Sequence, residues 1–126
     1  MRKYFVAFLL LILVGCQTMH LKQQTIGAFM QDAKVKEVKE IIILNGETGE
    51  KKTITDAGKI EQFLDDIEDI LFTPDDNQQQ RDGFRYAVKL VDGEHSLQFT
   101  TNSVGQDYYV TEEPLFEVID ALFQSQ

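Results

Sequence analysis

The chain has 126 residues, with 12 lysines and arginines against 21 aspartates and glutamates, and its formal net charge is −9. Two histidines, one cysteine and no tryptophan leave few side chains that could hold a metal ion or act as a nucleophile. An acidic surface repels phosphate backbones and anionic lipid headgroups, which argues against nucleic-acid binding. The charge favours a basic peptide, a cationic protein surface or a divalent cation as partner, although it would also serve solubility alone.

The N-terminus has the order of a secretory signal sequence. Arg2-Lys3 is followed by an uncharged apolar run over residues 4–14, and Gly15-Cys16 comes next. Cations, a short apolar core and a small residue in this order are typical of a cleaved signal peptide. The run is shorter than the roughly 20 residues that a membrane-spanning helix needs. An uncleaved N-terminal membrane helix, with Cys16 as a bystander, is the alternative.

The four residues Leu13-Val14-Gly15-Cys16 resemble the lipobox of bacterial lipoprotein precursors. In that family the cysteine thiol is alkylated with diacylglycerol and the chain is cut before the cysteine. The resemblance implies a lipidated Cys16 and a domain held at the cell membrane, facing outside the cytoplasm. Two acyl chains matter, because one chain alone gives only marginal and reversible membrane binding. No other cysteine is present to form a disulfide with Cys16.

These features predict three segments. Cleavage before Cys16 would remove the signal peptide, residues 1–15, and leave 111 residues with a formal charge of −11, since Arg2 and Lys3 are lost. Residues 16–34 have no strict hydrophobic period, so we expect a lipidated cysteine followed by a tether. A short helical turn is the alternative for part of this segment, formed by Ile26, Ala28, Phe29, Met30 and Ala33. Residues 35–126 are long enough for one small domain.

The first half of this domain predicts a hairpin followed by a helix. Val35–Leu44 is rich in β-branched residues, and Asn45-Gly46 predicts a turn into a short strand over Lys51–Thr55. Asp56 is expected to cap a helix, which Pro74 would end. The apolar residues between them recur with helical spacing: Ile60, Phe63, Leu64, Ile67, Ile70 and Leu71.

The second half predicts a meander of three strands and a last helix. Phe84–Val91 alternates between apolar and polar residues, and Asp92-Gly93 predicts a tight turn into a strand that contains Leu97 and Phe99. Asp107–Thr111 is expected to be the third strand. Pro114 suits the first turn of a helix, and the apolar residues after it have helical spacing: Leu115, Phe116, Ile119, Leu122 and Phe123.

The predicted order is ββαβββα, an α+β fold with one antiparallel sheet of about five strands and two helices packed on one face. The expected core draws on both helices and on the strands: Ile43, Ile54, Phe63, Leu64, Ile67, Tyr86, Val88, Leu90, Leu97, Phe99, Ile119 and Leu122. This layout behind a lipobox is similar to the small lipoproteins of Bacillus-type bacteria, the YhfM-like group. The similarity includes the Ile-Leu-Asn-Gly-Glu-Thr-Gly-Glu turn of residues 43–50 and Asp107-Tyr108-Tyr109, and it implies no functional residue.

Residues with catalytic chemistry are sparse. His95 and Ser96 are adjacent, so on a strand they point to opposite faces and make a poor dyad. His20 and His95 do not supply the three or four ligands of a zinc site. The loop Asp75–Asp82 is rich in oxygen atoms, but Gln80 stands where an EF-hand has its glycine. We therefore expect no enzyme, no metal and no cofactor.

The sheet face without helices is the candidate binding surface. We expect Arg85, Lys89, Gln98 and Tyr109 to bind a partner there, because aromatic, cationic and polar groups together suit recognition. An outer face that is simply solvated is common in antiparallel sheets. The sequence predicts a non-enzymatic, membrane-anchored protein-binding module of the cell envelope, whose partner is another protein or a second copy. A small-ligand or cation-binding lipoprotein, with a pocket beside the loop Asp75–Asp82, is the alternative.

Overall fold

The computed structural model describes residues 21–81, 83–111 and 114–126. The expectations about the signal peptide, the lipobox and Cys16 concern residues outside these ranges. The described residues form three helices and eight strands in this order: β1 (Gln24–Thr25), α1 (Ile26–Asp32), β2 (Glu40–Asn45), β3 (Lys51–Ile54), α2 (Ala57–Ile67), β4 (Leu71–Pro74), β5 (Tyr86–Asp92), β6 (His95–Phe99), β7 (Ser103–Val104), β8 (Asp107–Thr111) and α3 (Leu115–Gln124).

All eight strands belong to one sheet, in the order β1-β4-β8-β7-β6-β5-β2-β3, and every neighbouring pair is antiparallel. The prediction of an α+β fold with one antiparallel sheet is therefore confirmed. The expected numbers of about five strands and two helices are wrong. The additional elements β1, α1, β4 and β7 have between two and seven residues each, too few to leave a periodic signal in the sequence.

Strand β4 replaces the end of the helix that the apolar spacing predicted. Asp56 caps α2 as expected, since its carboxylate accepts a hydrogen bond from the amide of Lys59 at 2.9 Å. The helix ends at Ile67, however, and the chain from Leu71 pairs with β1 on one side and β8 on the other. Phe72 of β4 is fully buried in the core. The free energy gained by burying Phe72 and by pairing β4 on both edges is larger than the free energy that one further helical turn would contribute.

Residues 24–32, which the sequence placed in a tether, belong to the folded domain. Thr25 caps α1 by accepting a hydrogen bond from the amide of Ala28 at 3.1 Å. Ile26 has no exposed surface, and Phe29 packs edge to face on Phe72 with ring centroids 5.8 Å apart. The folded domain therefore includes residues 24–32, ahead of the expected start at residue 35.

The core lies between the sheet and the helices. Tyr86, Val88 and Leu90 alternate along β5 and are buried beneath them, as the strand pattern predicted. Each residue of the expected core is buried except Leu64 and Leu122, which pack partly exposed against it. The opposite side of the sheet is called the outer face below.

The loop between β4 and β5 crosses the outer face. These two strands run in the same direction and are separated in the sheet by β8, β7 and β6. Gln78 holds the loop like an extra strand residue, because its side-chain amide donates to the carbonyl oxygen of Tyr108 at 2.8 Å and accepts from the Tyr108 amide at 2.9 Å. The Arg81 amide donates to the Tyr108 hydroxyl at 2.8 Å. The loop thereby forms one wall of the outer-face site.

Candidate functional site

Lys89 and Gln98 lie side by side at the centre of the outer face. They are directly opposite each other in the pairing of β5 with β6, and Ile42 of β2 is opposite Lys89 on its other side. Both polar side chains are exposed, whereas their strand neighbours Val88 and Leu97 are buried in the core. The structure thus brings together two of the four residues predicted to bind a partner.

Apolar side chains flank this polar pair. Ile42 and Leu44 of β2 are half-buried on the outer face, and Ala87 of β5, opposite Leu44, is only 7% exposed. Phe84, at the end of the crossing loop, is 42% exposed. An apolar and aromatic surface around a few polar groups is the composition found at the centres of protein interfaces.

A cavity of about 320 Å³ opens between the crossing loop and the outer face. Arg81 and Phe84 line it from the loop, while Ala87, Gln98 and Tyr108 line it from the sheet. Gln98 is therefore shared between the exposed polar pair and this cavity.

Gly46 fixes the end of the crossing loop. Its amide donates to the carbonyl oxygen of Arg85 at 2.8 Å, and a Cβ at position 46 would lie only 2.0 Å from the carbonyl oxygen of Phe84. The residue must be glycine here because the two backbone segments approach so closely. The sequence indicated only its role in the turn, since the close approach depends on a loop distant in the chain.

Arg85 is exposed just before β5, and its contacts hold it at the end of the sheet. Its Nε atom lies 3.4 Å from the carboxylate of Glu47 in the β2–β3 turn, and its guanidinium lies 5.1 Å from the Phe116 ring of α3. Exposed ion pairs of this kind contribute about 0–1 kcal/mol. Arg85 is therefore tied to the turn and to α3, at the margin of the site.

Tyr109 does not lie on the outer face. It is 3% exposed in the core, and its ring packs edge to face on Phe29 and Phe72 at centroid distances of 5.4 and 5.9 Å. Burial also raises the pKa of its hydroxyl. A side chain in this position cannot contact a partner while the domain is folded.

Tyr108 takes the outward position instead. The Arg81 guanidinium lies 4.4 Å from the centre of the Tyr108 ring. A shift of one position along a strand reverses every side chain, and three successive residues, Tyr108, Tyr109 and Val110, are all plausible in a core. No local signal distinguished the two tyrosines, because the aromatic neighbours of Tyr109 come from α1 and β4.

The acidic loop after β4 has its first carboxylate already paired. Asp75 accepts hydrogen bonds from the Asn77 amide at 2.9 Å and from Arg81 Nη2 at 3.0 Å, and these bonds lower its pKa. Within residues 21–81, 83–111 and 114–126, no group of three or more histidine, cysteine or acidic side chains could hold a metal ion. Asp82, at the end of the acidic loop, lies outside these ranges.

A second cavity, of about 650 Å³, is a groove between α2 and α3. Phe63, Val118 and Leu122 give it an apolar floor. Its lining also includes four charged residues: Asp56, Lys59, Asp66 and Glu117. The sequence predicted both helices but not this groove, which exists only because they pack side by side.

A further cavity of about 430 Å³, with a mainly polar lining that includes Gln78, Arg81 and Tyr108, lies beside the acidic loop, where the sequence analysis placed the pocket of the small-ligand alternative. None of the helices in the described part of the chain is long and apolar enough to cross a bilayer. In comparisons of the chain with family models, curated proteins and solved structures, nothing matches.

Proposed function

We propose that the protein is a non-enzymatic lipoprotein, anchored by diacylglyceryl on Cys16 at the membrane and facing outside the cytoplasm, whose domain binds a protein partner in the cell envelope. The resemblance of Leu13-Val14-Gly15-Cys16 to a lipobox supports the anchor. The outer face supports the binding function.

The observation that carries the binding proposal is the pair Lys89 and Gln98, exposed beside the apolar Ile42 and the exposed ring of Phe84. Aromatic anchors at the centre of an interface contribute most of its binding energy, and hydrogen-bonding groups beside them add specificity. A second copy of the chain is one possible partner, since the same patch would then face itself.

Photo-crosslinking in the native membrane tests the binding proposal. A photoreactive amino acid would replace Gln98 in the full-length protein, and Glu61, exposed on α2 on the other side of the molecule, would be the control position. We expect one discrete protein adduct from position 98 that is absent from position 61. Lys89→Glu should reduce its yield, whereas Lys59→Glu, the same change at an exposed position on α2, should not. Equal smears from both positions would contradict binding at the outer face.

The anchor is tested separately with Cys16→Ser. The lipoprotein proposal expects the unmodified protein to incorporate labelled palmitate and to be cut before Cys16, and expects the variant to lose both, because no thiol remains to be acylated. An uncleaved N-terminal helix would instead leave both proteins at full length and without palmitate. Mass spectrometry of the N-terminal peptide distinguishes the two.

A small-ligand function is the second candidate, and the groove between α2 and α3 favours it. Its apolar floor, and a lining with three carboxylates against one lysine, Lys59, suit a molecule with an apolar tail and a positive head. A long-chain alkylammonium should raise the melting temperature of the protein, and Asp66→Asn should weaken this effect. The matched control is Asp65→Asn, which changes the neighbouring exposed residue outside the groove lining. If the alkylammonium raised the melting temperature of both variants equally, ligand binding in the groove would be contradicted.

A further inference from the structure

The distance between Cys16 and the sheet restricts which part of the domain can approach the membrane. Gln24 and Thr25 of β1 pair with Phe72 and Leu71 of β4, and Gln23 Nε2 donates to Thr73 Oγ1 at 3.0 Å. The chain is thus attached to the sheet from residue 23 onward. Seven residue steps from Cys16 span at most about 25 Å, and about 13–16 Å as a flexible coil.

The strands nearest this attachment expose apolar side chains. Leu71 of β4 is 40% exposed and Val110 of β8 is 50% exposed. Val110 is directly opposite Thr73 in the pairing of β4 with β8, so it shares the outer face with Leu71, two positions away along β4. Leu21, which precedes β1, is also 37% exposed. Three of the four exposed large apolar residues in the described chain therefore belong to this end of the molecule.

In the described part of the chain, β4 and β8 themselves carry no charged side chain on their outer face, although the Arg81 guanidinium of the crossing loop lies over the Tyr108 ring. The outward residues of β4 are Leu71 and Thr73, and those of β8 are Tyr108 and Val110. Asp75, beyond the end of β4, is paired with Arg81 at 3.0 Å. The acidic side chains of α2 lie on the opposite side of the sheet. The carboxylates of Asp69 and Asp76 are exposed near the two ends of β4, so contact of this acidic domain with lipid is favourable only through the uncharged outward side chains between them.

We propose that the β1–β4–β8 edge of the sheet rests on the phospholipid bilayer, with Leu71 and Val110 in contact with lipid. This inference rests on the proposed acylation of Cys16, and it adds an orientation to the anchor. The short connection holds the edge near the surface, so weak apolar contacts suffice to orient the domain. Gln98 on β6 lies three strand spacings from β4, about 14 Å along the sheet, and remains open to a partner.

Tryptophan fluorescence tests this orientation, because the chain has no tryptophan of its own. Val110→Trp would be the reporter, and Leu71→Trp would repeat the measurement on β4. Thr53→Trp is the matched control, since Thr53 is exposed on the outer face of β3 at the opposite edge of the sheet. The full-length proteins would be purified from their membrane and reconstituted into phosphatidylcholine vesicles with and without brominated acyl chains.

We expect brominated lipid to quench the reporters at positions 110 and 71 by roughly half or more, because an interfacial side chain lies about 5–10 Å deep, and to leave position 53 unquenched. Quenching at none of the three positions, with Cys16 acylated by mass spectrometry, would overturn the orientation and leave the anchor intact. Equal quenching at positions 110 and 53 would mean that the whole outer face lies flat, which also overturns it. An unmodified Cys16 would overturn the anchor, and the orientation with it.

Discussion

Asp92 ties the chain that leads into β2 to the β5–β6 turn. Its Oδ2 atom accepts hydrogen bonds from the amides of Lys36 and Glu37 at 2.8 and 3.0 Å. These bonds favour the charged form and lower the pKa of Asp92 below its ordinary value of 3.8. The sequence identified Asp92 only as a turn residue, since its bonding partners lie far away in the chain.

This carboxylate predicts a pH-dependent contribution to stability. Because the native pKa is lowered, the stabilisation is complete above the ordinary pKa of 3.8, which applies to the unfolded chain, and disappears as the pH falls through the native pKa. Asp92→Asn should therefore lower the free energy of unfolding at pH 7, and the difference from the unmodified protein should shrink towards zero in stronger acid. Urea unfolding at several pH values measures it, with Asp76→Asn, exposed in the crossing loop, as the control for removing one charge. A difference that stays constant with pH would contradict the assignment.

Local sequence could not predict which of Tyr108 and Tyr109 is buried. Alternation predicted that the two would face opposite sides, and they do. Which one enters the core was decided by Phe29 and Phe72, whose rings surround Tyr109. Both phenylalanines belong to elements that have too few residues to be recognised from the sequence.

At the scale of elements, α2 and α3 follow from local signals, whereas α1 depends on what it packs against. A seven-residue helix is unstable by itself, because the free-energy cost of nucleating it exceeds the free energy that one or two turns of hydrogen bonds provide. α1 exists because Thr25 caps it and because Ile26 and Phe29 are buried. The sequence therefore predicts a tether with at most a short helical turn, whereas the segment folds as part of the core.

Ile26→Ala tests this assignment of α1. We expect a loss of about 2–5 kcal/mol in the free energy of unfolding, because a fully buried side chain would be replaced by a cavity. Leu21→Ala, outside α1 and partly exposed, is the control and should change the free energy by less than about 0.5 kcal/mol. Chemical denaturation of both variants measures the difference. Two equally small effects would mean that residues 24–32 behave as a tether.

For the whole molecule, the sheet order predicts how stability is distributed. β5 is paired along its length with β2 on one side and β6 on the other, whereas β1 is a two-residue strand at the edge. We expect the amides of Val88 and Leu90 to exchange with solvent only on global unfolding, and those of Gln24 and Thr25 to exchange through local opening. Hydrogen exchange followed by NMR measures both rates. Protection of β1 equal to that of β5 would show that the edge and the centre open together.

Local sequence was enough for the elements whose signals lie within a few residues: the β2–β3 and β5–β6 hairpins with their turn residues, and the apolar stripes of α2 and α3. It was also enough for the α+β class and for most of the core, because burial follows the period of each element. The pair Lys89 and Gln98 was found for the same reason. The N-terminal anchor remains a prediction from Leu13-Val14-Gly15-Cys16.

The assembled sheet was needed for everything that depends on residues far apart in the chain. β1 and β4 are strands because each pairs with the other and β4 also pairs with β8. The inward position of Tyr109, the loop that crosses the outer face and the apolar edge near Leu71 all follow from that pairing. The intrinsic β propensity of a two- to four-residue strand is too weak to fix its structure. Whether such a strand forms, and which of its side chains enter the core, therefore depends on the strands that pair with it.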